Sequence, residues 1–171
     1  MRSFDEAIVN QIEARICRGT YQWKIKHFQQ CRQDAITGAM VAQFSPAIFT
    51  SPDGYTFCIR MHLNGVNSGS GTHVAIFVHV MQGECDNRLT WPFTGVITLS
   101  ILDQSTAKHP KDVTKMLVAS PKLLAFRKPT ARCSPIGCGF ELFAPIDEIC
   151  TAPFIQNNTM LVKIQIQSHL L

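Results

Sequence analysis

No CxxC pair, HExxH, GxSxG, P-loop or paired-carboxylate motif occurs in the 171 residues, so the usual marks of metal-dependent hydrolysis, acyl transfer and phosphoryl transfer are missing. Seven cysteines at positions 17, 31, 58, 85, 133, 138 and 150 form an odd set. Cys133 and Cys138 have no second Cys/His pair near them, which argues against a structural zinc site. Several cysteines, Cys58 above all, lie inside strand-like runs, where a free thiol acts as a small hydrophobe; this is the usage of a reducing, cytoplasmic setting. Strong charge is absent too. Sixteen Lys and Arg against twelve Asp and Glu leave a net charge of +4, scattered along the chain. The one basic cluster, Arg127, Lys128 and Arg132, is interrupted by Pro129 and Thr130 and lacks interleaved aromatics, so no nucleic-acid partner is expected. No apolar run is long enough to span a membrane, and "MRSFDEAIVNQIEAR" carries mixed charge instead of a secretory leader, so no membrane insertion is expected.

What is present is a short helical opening followed by many strands. Residues 1 to about 17 read as a helix, with Val9, Ile12 and Ile16 at the three-then-four spacing of a coiled-coil seam and Gly19 as its terminator. A helix this short is marginal alone, so the seam packs either on other copies of itself or on its own domain. After Gly19 the period becomes two. In "TYQWKIKHF" Tyr21, Trp23 and Ile25 face one way. In "YTFCIRMHL" Tyr55, Phe57, Ile59, Met61 and Leu63 point inward, with Thr56, Cys58, Arg60 and His62 outward, after the turn signal "SPDG". "HVAIFVHVM" is apolar on both faces, and "VITLSIL" and "MLVKIQIQ" alternate. Short strands without intervening helical patterns predict an all-β antiparallel sandwich with Greek-key links; only 111–120 and "PIDEI" at 145–149 are candidate short helices.

Two short features stand apart. "SPIGCGFELF" places Gly137 and Gly139 on one face of a strand and Cys138 and Phe140 on the other; strand glycines mark close approach of another backbone. Cys138 looks like an exposed thiol, but no histidine or helix N-terminus stands nearby in sequence to activate it, so the chain is not read as an enzyme and no cofactor is called for. Arg60 and His62 stand on the outer face of a strand whose other face is apolar, either as ordinary surface charge or as part of a site.

Together "GTYQWKI", "FSPAIFTSPDGYTFCIRMHLNG", "GTHVAIFVHVMQGECDNRLTWPF", "LDQ" and "TMLVKIQI" resemble the C-terminal TRAF/MATH domain of TNF receptor-associated factors, from Gly19 to about Ile166. The resemblance implies an eight-stranded sandwich over residues 19–171, a homotrimer on a coiled-coil stalk ending in residues 1–18, and peptides of receptor tails added as an extra strand on one sheet edge. Such partners are of TNF receptor or Toll/interleukin-1 pathway type. The resemblance assigns Pro135, Gly137, Cys138, Gly139 and Phe140 to that edge, Arg60 and His62 to the downstream end of the peptide, and Phe77 and Phe126, with Leu117, to an apolar pocket. In place of the serine run of one subgroup stand Leu123, Leu124 and Ala125, as in the family's sixth vertebrate member. There the backbone N–H groups matching Leu124 and Ala125 meet a peptide glutamate, and Arg60 meets an aromatic or acidic residue. The chain departs from that member at Ile136, Cys138 and Phe140, where it has lysine, an aromatic and tyrosine. The broader MATH group suggests a rival: a monomeric substrate-recognition domain of a ubiquitin ligase. A RING-type ligase would need a zinc pattern that this chain does not contain.

Overall fold

The computed structural model describes residues 2–169, with side chains from residue 4 onward. Helix α1 (Arg2–Ile16) leads into β1 (Thr20–Ile25), helix α2 (Phe28–Thr37), β2 (Gln43–Phe44), β3 (Ile48–Phe49), β4 (Thr56–His62), β5 (His73–Met81), β6 (Gly95–Ile101), β7 (Val113–Ala119), β8 (Cys138–Pro145), helix α3 (Ile146–Ile149), β9 (Ile155–Gln156) and β10 (Thr159–Ser168). Two antiparallel sheets result, ordered β1-β10-β6-β7 and β2-β4-β5-β8, with β9 on β10 and β3 on β4. β2 and β3 pair with opposite ends of β4, so they act as one interrupted strand, and with the short β9 set aside the expected eight-stranded sandwich is present.

Alternation builds the core. Trp23, Leu99, Val162 and Ile164 from one sheet meet Phe57, Ile59, Met61, Ile76 and Val78 from the other, all buried. Two expectations fail. Residues 113–119 form a strand rather than a helix, because Leu117 and Ala119 turn inward while Thr114, Met116 and Val118 turn out. Helix α2 was not foreseen, since only Phe28 and Ala35 anchor it and the rest of "FQQCRQDAIT" shows no apolar stripe. The third helix falls within "PIDEI", as read from sequence.

On α1 the seam residues stay in solvent: Val9 is 49%, Ile12 54% and Ile16 63% exposed. The helix docks on its own domain by another face, with Ala14 fully buried, the Arg15 guanidinium 5.4 Å from the Phe49 ring centre, and Lys26 paired with Glu6. Of the two destinations left open for the seam, its own domain is therefore not one.

The glycine question has an internal answer. β8 bulges where Val74 pairs with Ala144 but Ile76 with Phe140. A side chain at Gly139 would overlap the Ile76 carbonyl oxygen and approach Phe77 Cα to 2.7 Å. The backbone that comes close belongs to β5 of the same chain, which corrects the expectation that the missing side chain serves a visitor. Gly139→Ala is therefore expected to cost about 1–3 kcal/mol of stability, read as a lowered denaturant midpoint; an unchanged midpoint would show that the strand can shift to accommodate the methyl group.

Candidate functional site

β8 pairs with β5 on one side and with no strand on the other among the described residues, so its backbone groups there face outward. Across the sheet Gly139 stands opposite Phe77, and Phe77 opposite Arg60. Directly opposed residues project to the same face, so β8, β5 and β4 contribute one row. The Arg60 guanidinium carbon lies 4.5 Å from the Phe77 ring centre, and the His62 ring meets the same phenylalanine edge-on at 6.1 Å.

This face is drier than the alternation implied. Thr56, Cys58 and His62, expected in solvent, are buried, and Arg60 is half-buried. Neighbouring segments cover them: the Val41 backbone reaches the His62 ring, Cys133 Sγ lies 3.8 Å from Cys58 Sγ, and the Ser134 carbonyl accepts a 2.8 Å hydrogen bond from His79 Nδ1. Burial, with Cys133 adding to it, pushes the Cys58 thiol up to about 12, which makes it inert. His79 stands opposite Cys58 across the sheet and so shares this face, a placement the sequence did not reveal. Its Nε2 has no partner among the described residues and faces Gly137, where a Cβ would come to 2.6 Å.

The other predicted residues divide. Cys138 and Phe140 pair with Val78 and Ile76, whose side chains lie in the core, so they face the space between the sheets and not the Arg60 row. Cys138 is half-buried and its thiol is pushed up by that burial, against the sequence expectation of an exposed sulfur. Phe126 is 1% exposed and packs on Phe93 with ring centres 6.0 Å apart; it supports the neighbouring surface from beneath and lines no open pocket. Leu117 is likewise buried. Leu124 is exposed and Ala125 buried, in a 3-10 turn (Leu124–Phe126) beside β5. Among the described residues neither the Leu124 nor the Ala125 N–H has an acceptor, as expected for the first donors of a helical turn. Pro135 is exposed in the loop before β8. Lys115 was missed because its segment was read as a helix: its Nζ donates to the Leu142 carbonyl at 2.8 Å. Glu141 was missed as well, and accepts from Asn67 Nδ2 at 2.9 Å and Ser68 Oγ at 2.7 Å.

The arrangement sets a free strand edge beside an arginine stacked on an aromatic. Two antiparallel sheets in this order form a MATH-type sandwich. The TRAF/meprin, MATH domain family matches residues 40–163, and the chain belongs to it, as a TNF receptor-associated factor domain. It is 37% identical over 161 residues to TNF receptor-associated factor 6 of Bos taurus, covering 94% of this chain and 30% of the relative. The same factor of Rattus norvegicus is 35% identical over 169 residues, with 98% and 32% covered. Among solved structures TRAF5 of Notothenia coriiceps superposes with a TM-score of 0.88 at 29% identity, covering 99% of this chain and 83% of that one. The chain thus spans about a third of the length of the curated relatives it matches. No described helix is long and apolar enough to cross a membrane.

Burial lowers the pKa of His62, with Arg60 adding to it and Val41 opposing, and lowers that of His79 against its Ser134 hydrogen bond. Above their unfolded value of about 6.5 both rings are neutral folded or unfolded. Below it the unfolded chain takes protons first, so folding stability is expected to fall as pH drops from there. Denaturant titrations between about pH 7 and 5 check this: His79→Gln should flatten the slope, and an unaltered slope would mean that His79 is not held neutral.

Proposed function

We propose that this domain is a cytoplasmic signalling adaptor that forms a homotrimer and binds short linear motifs of receptor tails or signalling intermediates by strand addition to β8. The observation that carries the reading is the unpaired edge of β8 in one row with Phe77 and Arg60. Main-chain hydrogen bonds to that edge supply affinity with little sequence demand, and side chains set preference. A peptide residue on the outer face would lie beside Phe77 and reach Arg60, as a ring under the guanidinium or as an acid paired with it. The N–H groups of Leu124 and Ala125 would take a glutamate. Residues 1–18 would be the end of the stalk, with the exposed Val9, Ile12 and Ile16 covered by two further copies. Three weak sites on one trimer then favour a clustered receptor over a dispersed one by avidity.

Two measurements test it. Arg60→Ala should weaken motif peptides by about tenfold or more, while melting shifts only by the loss of a stacked cation, of order 1 kcal/mol. Binding at full strength would put the groove elsewhere. Light scattering should give a trimeric mass that Ile12→Asp reduces to monomer, with single-peptide affinity kept and avidity for a clustered peptide surface lost. A wild type that is monomeric and still binds peptides would favour a MATH-type substrate receptor.

A further inference from the structure

Lys115 closes the free edge of β8 at one end. It reaches across from the edge strand of the other sheet, donates to the Leu142 carbonyl at 2.8 Å, and holds its ammonium 5.5 Å from the centre of the Phe140 ring and 5.9 Å from that of Phe143. Beside it β8 leaves its register with β5: between the flanking pairings Ala75 alone stands against Glu141, Leu142 and Phe143. On the other face the Glu141 carboxylate is gripped by Asn67 and Ser68. A bulge and a lysine are two of the devices by which proteins stop a strand edge from recruiting more strands. The open stretch is thus limited to about Gly137–Phe140, and a longer visitor must pass Lys115.

We infer that Lys115 is a specificity residue, reading an acidic side chain on the part of the bound peptide that runs past Phe140. One of its three ammonium protons goes to Leu142, which leaves donors for a carboxylate. The two rings beneath it keep the ammonium at the lip of the groove. Leu142 lies three residues from Gly139, about 10 Å along the strand, so the acid stands about three positions from the peptide residue that meets the Arg60 row. The two cations therefore read separate positions. Glu141 is the nearest carboxylate on β8 itself, but its oxygens are engaged by the 3-10 turn Asn67–Gly69, leaving Lys115 for the visitor. A purely structural Lys115, serving only to blunt the edge, would treat acidic and neutral peptides alike.

This inference rests on the peptide reading above, and the test separates the two. Peptides with a fixed proline–glutamate core would carry a single Asp or Ala at each flanking position, and affinities for wild type, Lys115→Met and Arg60→Ala would be compared at low and physiological salt. Methionine keeps the apolar stem over the rings and removes the charge. In wild type one flanking Asp should tighten binding about two- to five-fold, as partly exposed ion pairs do, and salt should weaken that gain. Lys115→Met should erase the gain while binding the all-alanine-flank peptide as the wild type does. Arg60→Ala should weaken the whole set but keep the gain. If the Asp effect survives Lys115→Met, or no flanking Asp improves wild-type binding, the inference fails and the peptide reading stands. A uniform loss across acidic and neutral peptides in Lys115→Met also overturns it, in favour of an edge-closing role. If no peptide binds the wild type, both fall.

Discussion

Strand β8 is paired along one flank and open along the other, and the rest of the site follows from how that open flank is managed. A free edge presents unpaired N–H and C=O groups, which in water costs little but leaves a template for any extended chain. In this chain the template is kept short. The bulge between the Val74 and Ile76 pairings bends the strand, Lys115 occupies the Leu142 carbonyl, and Asn67 and Ser68 hold Glu141. An edge left open over a few residues and stopped beyond them has room for one short strand; one left open along its whole length is an aggregation hazard.

The face beside that edge combines polarity with dryness. Arg60 lies on Phe77 and is half-buried, while His62 and His79 are buried with Nε2 atoms that find no partner. Imidazoles placed this way are held neutral, so neither adds a second cation beside Arg60 at neutral pH. The same burial suppresses the thiol of Cys58. What this surface presents is one stacked cation beside the backbone groups of an open strand.

Helix α1 keeps Val9, Ile12 and Ile16, along with Phe4 and Ile8, in solvent while tying another face to the sandwich through Ala14, Arg15 and the Glu6–Lys26 pair. A helix anchored on one side and bare on the other has its direction set by the domain and its partner set by the seam. In the proposed trimer, geometry of that kind would hold three grooves at fixed spacing, which avidity requires.

Alternation in the sequence determined the sandwich, because a strand with one face in a core must repeat every second residue, and β1, β4 and β10 could be read that way directly. Pattern and family words together marked Arg60, family words alone marked Phe77, and 113–119 was misread because Lys115 on the inward side and the exposed Met116 and Val118 on the outward side obscured the period. Tertiary structure alone decided three things. Coverage of the outer face came from segments far away in sequence, around Val41 and Cys133, so Thr56, Cys58 and His62 were buried against their polarity. The glycine at 139 proved to answer to Ile76 of the neighbouring strand, a contact that exists only once the bulge sets the register. The lysine that ends the open edge was brought there from the opposite sheet. Local periodicity reports which side of a strand meets the core; it carries no information on which distant segment arrives at the other side.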